Sequence, residues 1–575
     1  MKILPFLLLI AWSLISCAQD GKLILVNSGK TAYRIVVPAR GTAVETHAAN
    51  EIQHYLEKIS GTSIPIVKDI TPAIPTEICI GKTNRGSSSI ADPDGLSIET
   101  KGNSILISGG NRKGTLYGVY VFLETFFNCH YLAKGVEVIP TNKVLAVPAL
   151  INVQQNPAIS FRSPLFYFSE KDTLMRKFAD WNKIQYVYEF RGSLAHTFEV
   201  LLPPAKYFKQ HPEYYALVDG VRKPTQPCLS QPEVFNIMLT NLKADMAKNQ
   251  NFKNWSISQN DNRDYCHCNL CEPKHIRENS YMGTLLPFVN RFAAAFPNMT
   301  ISTLAYNQSI NPPVTLKPAK NVEIFFCVTE VDRGRPINTS NDQHAAALKN
   351  TMAGWKKLAK EIFVWDYPIN YFHTLCPWPN YQTLQPNIQF FKANNVTGLF
   401  EQGVIYQKGE FSELRVYLLS RLMWDPNLNF NKVRDEFLTG FYGPAKDDIV
   451  RYMDLLVAEY QKSGIALTPW QQPDVFRNSY LSQQNLDKYH NIFRHAETVT
   501  ANSPYYSRVV QERLAVDYAE LEMKRTAPTS ALARGVTANN DELKQFVADC
   551  DKFGITWLGN EEKSARDFQQ SFGNK

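Results

Sequence analysis

Four carboxylates stand directly behind short apolar runs in the middle of the chain. Asp261 closes Trp255-Ser256-Ile257-Ser258-Gln259-Asn260-Asp261, Glu330 follows the run from Val322 to Val328, Asp366 follows Ile362–Trp365, and Glu401 follows Gly398–Phe400. Such runs, separated by helical stretches, read as parallel strands, and parallel barrels keep their chemistry where strands end and loops begin. Two carboxyl groups suffice to cleave a glycosidic bond: one gives a proton to the leaving oxygen, and one stabilises the oxocarbenium-like centre. Repulsion and partial burial would hold one of four converging acids protonated near neutral pH. Strand-end acids also cap helices or pair with arginines such as Arg333, so the set carries more weight than any member.

Aromatic side chains crowd the same positions. Trp365 and Tyr367 flank Asp366, Tyr371, Phe372, His373 and Trp378 follow in one loop, and Tyr265, Tyr306 and Tyr406 lie just after other runs. Sugar rings present apolar C–H faces that stack on such groups, while their hydroxyls bond to Asn, Gln and His. Gln259, Asn260, His196, Trp365, Tyr367, His373 and Tyr306 are accordingly the candidate substrate ligands. Loop packing is the competing explanation for the aromatics, and a hydrogen-bonded structural role is the competing one for His196.

Cysteines give a sharper local pattern. Cys266, Cys268 and Cys271 fall within six residues just after Asp261, and Cys228 lies upstream. Four thiols fit a tetrahedral structural zinc or two disulfides. Either arrangement staples the loop that carries Asp261, and neither implies a cofactor for catalysis, because an all-thiolate zinc is closed to substrate. Cys79, Cys129, Cys327, Cys376 and Cys550 read as ordinary buried or unpaired thiols.

These residues need elements to hold them. Residues 20–150 alternate strand and helix signals (Lys22–Val26, Tyr33–Val37, a helix over Thr42–Ile59, Ile64–Val67, Glu77–Ile80, Leu96–Ser108, a helix over Thr115–Phe127) and predict a small α/β domain. The glycines of Gly109-Gly110-Asn111-Arg112-Lys113-Gly114 match neither phosphate-binding fingerprint and read as a plain turn. Over 155–445, Phe161–Phe168, Ile184–Phe190, Tyr215–Val218, Trp255–Ser258, Thr300–Ala305, Val322–Val328, Ile362–Trp365 and Gly398–Phe400 supply eight strands, the number that closes a (β/α)8 TIM barrel. Beyond 446 strand signals vanish, and Val450–Ser463, Ser482–Val499, Tyr505–Lys524 and Asn540–Lys552 read as a C-terminal helical region, 446–575.

Composition removes several other classes. At 575 residues, 44% of them hydrophobic, the chain has core material for about three domains and is neither disordered nor coiled-coil. A net charge of +7 without a basic stripe or tail argues against nucleic acid as a partner. Residues 1–16 form a charged start and an apolar run ending in Leu-Ile-Ser before Cys17. That pattern is a secretion leader whose ending resembles a lipoprotein box, with Cys17 as the lipid attachment; an ordinary cleaved signal is the alternative. The expectation is an exported periplasmic or outer-membrane lipoprotein that meets the membrane through its lipid anchor alone.

Ala195-His196-Thr197-Phe198, Tyr207 to Leu217, Ser258-Gln259-Asn260-Asp261 with its cysteines, and Leu399-Phe400-Glu401-Gln402-Gly403 together resemble the domain-of-unknown-function 4838 proteins, part of which is classed as glycoside hydrolase family 163. Gly114-Thr115-Leu116-Tyr117-Gly118-Val119 is similar to the N-terminal domains of family 20 hexosaminidases and family 67 α-glucuronidases. The resemblance implies a TIM-barrel hydrolase, with family 163 members acting as retaining endo-β-N-acetylglucosaminidases on complex N-glycans. In the related hexosaminidases the substrate acetamide is the nucleophile, so an acid and an acetamide-orienting carboxylate are needed. Asn260-Asp261 stands where hexosaminidases carry an acidic pair, which leaves Glu330 or Glu401 as proton donor and Asp261 as orienter or substrate ligand. Asp366 and Glu401 also resemble the late-strand acids of α-glucuronidases, and a uronidase would hold its sugar carboxylate with Arg333 or Arg335. A non-catalytic glycan-binding lipoprotein is the third reading.

Overall fold

The computed structural model describes residues 21–165, 172–189, 191–403, 408–528, 538–559 and 563–572. It divides into two compact units, Met1–His130 with Glu137–Asn156, and Tyr131–Val136 with Pro157–Lys575.

The first unit is built on β1 (Lys22–Asn27), β2 (Arg34–Val37), β3 (Ile66–Lys68), β4 (Glu77–Ile80), β5 (Leu96–Lys101) and β6 (Ser104–Gly109). The run Leu96–Ser108, expected as one strand, is a hairpin, because Gly102 takes φ +60° and lets the chain reverse. After β7 (His130–Ala133) and β8 (Val136–Val138), a two-stranded ribbon, come β9 (Val144–Pro148), paired with β1, and β10 (Asn152–Gln155). The main sheet runs β10-β5-β6-β4-β2-β3, and helices Ala43–Ser60 and Gly114–Phe127 pack on it. The first helix begins at Thr42, whose hydroxyl accepts from the Glu45 N–H while Glu45 accepts from the Thr42 N–H. The glycine segment before the second helix is a turn, as read, and a tightly packed one: a side chain on Gly110 would strike the Asp92 carbonyl, and one on Gly114 the Gly95 carbonyl.

The second unit holds β11 (Phe161–Leu165), the hairpin β12 (Tyr215–Val218) and β13 (Val221–Pro227), then β14 (Asn254–Ser256), β15 (Thr300–Ala305), β16 (Val322–Cys327), β17 (Ile362–Asp366) and β18 (Val396–Gln402). Six of these form one curled, all-parallel sheet in the order β11-β18-β17-β16-β15-β14. Its strands are apolar almost throughout because helices such as Met282–Ala295, Tyr381–Ala393 and Ser412–Trp424 cover one face and a second core fills the other. On the concave face Phe161, Leu304, Phe325, Cys327 and Phe400 form that core. Phe161 and Phe363 meet there at 5.4 Å across Gly398, whose missing Cβ leaves room for the Phe363 ring.

Two of the eight expected barrel strands are absent as such. Tyr215–Val218 is a strand, but it pairs antiparallel with β13 through Asp219-Gly220, both at positive φ, and lies outside the parallel sheet. Ile184–Phe190 is not a strand: Val187–Glu189 is a 3-10 turn, and Phe190 lies outside the described residues, as do 166–168 of the expected first strand. The segment nevertheless spans the gap between the two sheet edges. Gln185 N–H donates to the Arg162 carbonyl on β11 (2.8 Å), and Gly192 N–H to the Asn254 carbonyl on β14 (2.9 Å). Side chains supply further bonds, Arg162 N–H to Gln185 Oε1 and Ser256 N–H to Ser193 Oγ, which is why no regular ladder forms. The described residues thus show seven segments around the curl rather than eight strands. Helices Phe430–Tyr442, Lys446–Gln461, Gln483–Thr500, Tyr506–Arg525 and Asn540–Phe553 complete this unit. Among the described residues no helix is long and apolar enough to cross a membrane.

Candidate active site

Strand parity sorts the acids. Successive side chains on a strand face opposite sides, and in β17 and β18 it is Phe363, Trp365 and Phe400 that reach the concave face. Phe363 and Trp365 are half-buried there, whereas Ile362, Val364 and Asp366, which alternate with them, are buried. Asp366 is paired in register with Glu401, and both therefore lie on the convex face.

There Arg333 meets them. Its Nη2 is 2.7 Å from Asp366 Oδ1, and its remaining donors reach the carbonyls of Val328, Val331 and Tyr367. Burial pushes both carboxyls up; for Asp366 the Arg333 charge opposes that, while Glu401 also meets the negative charge of Asp366. Of the two, Glu401 is raised further, and its Oε2 is buried with no hydrogen-bond partner among the described residues. The expectation that four acids converge on one rim is corrected accordingly: Asp366 and Glu401 form an ion cluster behind the sheet, with Asp366 in the arginine pair named as its alternative role. Arg333 is fully buried in that cluster and is not open to a sugar carboxylate, while Arg335 is half-exposed, 3.7 Å from Asp332.

Asp261 is at the mouth. It is exposed, and Tyr306, on the concave side after β15, donates its hydroxyl to Asp261 Oδ1 at 3.0 Å. Burial, with the Asp261 charge behind it, pushes the Tyr306 hydroxyl up to about 12, so it remains a neutral donor. The Tyr367 hydroxyl is raised far above its ordinary value by burial, and Cys327, Tyr371, Tyr306 and Asp261 push it the same way; Cys327 and Tyr306 belong to the concave side of the curl, the hollow of this sheet. Its aromatic wall is Tyr367 against Trp365 (6.3 Å), Tyr371 (5.6 Å) and Trp470 (5.0 Å). Gln402 ties that wall together, accepting from Trp365 Nε1 at 2.7 Å and donating to the Tyr371 hydroxyl at 2.5 Å. Glu330 lies just beyond β16, exposed, with no ion pair or hydrogen bond to a described side chain.

The other expected ligands divide. Gln259 is buried and donates to Tyr306 O and Ser309 Oγ, and Asn260 bonds to Thr225 O, Gln226 and the Glu199 N–H; both hold loops. His196 takes φ +54°, a left-handed conformation costly for a residue with a Cβ, with Nδ1 2.8 Å from Gln259 O and its ring against Tyr306 at 6.3 Å. It borders the hollow. His373 does not: its ring nitrogens meet Tyr518 (2.6 Å) and Gln472 (2.8 Å), and burial lowers its pKa. Cys228, Cys266, Cys268 and Cys271 are gathered with all four sulfurs within 4.8 Å of one another. Cys17 and Tyr406 lie outside the described residues. Trp470 and Gln402 escaped the sequence reading; Trp470 comes from the loop after helix Lys446–Gln461, far along the chain from the sheet, and its only sequence signal is an aromatic in the turn-like Thr468-Pro469-Trp470.

The C-terminal end of a parallel sheet is where such folds place their ligand sites. BtGH115A, a family GH115 4-O-methyl-α-glucuronidase with specificity for decorated arabinogalactans, is 10% identical and superposes with a TM-score of 0.52, over 95% of this chain and 78% of its own. CpGH84D is 11% identical with a TM-score of 0.48 over 96% and 97%. A GH138 enzyme targeting pectin rhamnogalacturonan II is 12% identical at 0.43 over 90% and 72%. At such identities the first likeness is one of fold, and the other two scores are too low to argue from. No curated protein matches the sequence. Residues 131–454, more than half of the chain, match the family described as Domain of unknown function (DUF4838), and the chain belongs to that family.

Proposed function

We propose that this protein is a glycoside hydrolase whose sugar site is the hollow between the Asp261–Tyr306 pair and the Trp365–Tyr367–Tyr371–Trp470 wall. The observation that carries the reading is the exposed Asp261 carboxylate bonded to a neutral phenol, with the half-buried aromatic cluster of Trp365, Tyr367, Tyr371 and Trp470 on the same side of the sheet. A sugar acetamide has one donor and one acceptor; Asp261 accepts its N–H in place of the Tyr306 hydroxyl, which turns to donate its one proton to the acetamide carbonyl. That complementarity favours an N-acetylglucosamine unit, cleaved with retention and with the acetamide oxygen as nucleophile. It attacks the anomeric carbon as the leaving oxygen departs with a proton, and water later opens the ring so formed. Complex N-glycans cut within the chain are the proposed substrate, in keeping with the family resemblance.

The proton donor in this proposal is Glu330, which is exposed just beyond β16, at the same end of the sheet. Asp366 and Glu401 keep a supporting role through Arg333. A uronidase is less well served, since Arg333 is committed to Asp366. Catalysis as proposed calls for no cofactor, and export with a lipid on Cys17 would present the site to glycans outside the cell.

Incubation of the purified chain with defined glycans, followed by mass analysis of the products, tests the proposal. Release of fragments ending in N-acetylglucosamine, lost in both Asp261→Asn and Glu330→Gln, is the expected result. Tight glycan binding with no product over days would replace it with the binding-protein reading, and release of uronic acid would replace it with the uronidase.

A further inference from the structure

Four cysteines that the glycosidase reading does not use are gathered from two distant stretches of chain. Cys228 follows β13, while Cys266, Cys268 and Cys271 lie in the loop behind Asp261. All four are buried, none is in a disulfide, and Cys228 Sγ lies 3.7 Å from both Cys268 Sγ and Cys271 Sγ. With zinc–sulfur bonds of about 2.3 Å, the edge of a tetrahedral tetrathiolate site is about 3.8 Å. Sulfurs in two disulfides would instead be drawn together in pairs.

The surroundings suit thiolates. Cys266 Sγ accepts from the Leu217 N–H (3.4 Å) and faces Arg222 Nη1 (3.7 Å), and Ser230 Oγ, itself bonded by Lys274 Nζ, lies 3.1 Å from Cys271 Sγ. Four thiolates and one divalent ion leave two negative charges, and Arg222 and Lys274 are two cations placed to balance them. N–H groups aimed at sulfur orient the ligands in such sites.

We infer that Cys228, Cys266, Cys268 and Cys271 bind one structural zinc ion, which staples the loop carrying Asp261 to the β12–β13 hairpin. The same loop and hairpin share Asn260 Nδ2 to Thr225 O (2.8 Å), Thr225 Oγ1 to Asp264 (2.8 Å) and His267 N–H to Leu217 O (2.9 Å), so the ion fixes a contact surface that already exists. Binding releases the thiol protons and changes no oxidation state. With four thiolate ligands the ion has no open position, so its part is positional and independent of whether the hollow cleaves glycans.

The test uses the full chain purified without chelator. Elemental analysis should give one zinc per chain, and alkylation of the unfolded, chelated protein without reductant should label all four cysteines. Cobalt exchanged for the zinc should show the strong visible bands of tetrahedral cobalt and the near-ultraviolet absorption of thiolate ligation. Chelation should lower the thermal midpoint, and added zinc should restore it. Because Cys228→Ser or Cys268→Ser could fail to fold, exchange in the unaltered chain stands as the second measurement. Protein without metal, whether its four thiols are blocked until reduced or free yet indifferent to zinc, would overturn the inference, as would stoichiometric iron in place of zinc.

Discussion

At the scale of single residues, the Asp261–Tyr306 pair and the Glu401–Asp366–Arg333 cluster are opposite kinds of acid site, and they should respond oppositely to substitution. Asp261 is exposed and bonded to a neutral phenol, so Asp261→Asn should leave the thermal midpoint nearly unchanged while lowering kcat/KM on an N-acetylglucosamine glycan by roughly a hundredfold. Tyr306→Phe should cost about tenfold, measured the same way, since it removes one neutral hydrogen bond. Glu401 titrates in the other direction. Its carboxyl, facing Asp366 and Arg333, has a folded pKa above its unfolded one, so the folded state holds the extra proton and stability falls as pH rises from the ordinary glutamate range through the folded value. Glu401→Gln removes that dependence. Its stability relative to the wild type should therefore improve as pH rises above the ordinary glutamate range, as read from denaturant midpoints at each pH. A pH-independent difference would sink the assignment. That all four acids follow strands was legible; which face they take was not. Gly398-Leu399-Phe400-Glu401 is buried on both sides, so no alternation of polar and apolar residues marks the inward positions.

Among elements, the segment 184–193 is the point where expectation and structure part. Its apolar residues read as a strand, yet it spans the edges of the sheet with side-chain bonds and one buried ion pair, Arg191 Nη1 to Glu323 Oε1 at 2.7 Å. Arg191 also stacks over Phe325 (5.1 Å) and Phe363 (4.7 Å) at the floor of the curl. Arg191→Met leaves Glu323 buried and unpaired, which should cost about 3–5 kcal/mol. Arg191→Met with Glu323→Leu removes both charges and should recover most of that loss, so a double-mutant cycle by denaturant unfolding measures the coupling. An additive pair would mean that the ion pair does not hold the segment. The sequence reading succeeded where strands have regular ladders on both sides, as with Thr300–Ala305 and Ile362–Trp365. It failed on Tyr215–Val218, although Asp219-Gly220 directly behind that run is a hairpin signal. The apolar run outweighed the turn chemistry, and a misplaced strand made eight.

For the whole molecule, the C-terminal helices were legible as helices from their periodicity, but not as a layer of the sheet unit. Their docking depends on isolated polar groups far along the chain. Asp332, behind β16, accepts from Gly334 N–H, Tyr460 hydroxyl and Leu467 N–H, all near 3 Å, and the Arg333 N–H donates to the Leu467 carbonyl at 2.7 Å. Glu512 accepts from the Phe411 N–H and the Tyr442 hydroxyl, and its buried carboxyl is raised well above the usual range. The same docking delivers Trp470, because Tyr371 N–H donates to Pro469 O at 2.7 Å beside the aromatic wall. A chain ending at residue 445 would take the Tyr460 hydroxyl and the Leu467 N–H from Asp332, uncover the apolar faces of the helices beneath, and remove one wall of the hollow. The main cost is the apolar surface so uncovered, at about 25 cal/mol per Å², which for several helix faces is comparable to the whole stability of a domain. The truncated chain should therefore lose the cooperative thermal transition of the sheet unit and aggregate, as followed by calorimetry and light scattering. Trp470→Ala in the full chain keeps the docking and removes only the wall, so it should retain the transition while raising KM about tenfold with a smaller change in kcat. If instead the truncated chain unfolds cooperatively at the midpoint of the full one, the helices are an independent domain and the hollow owes them nothing.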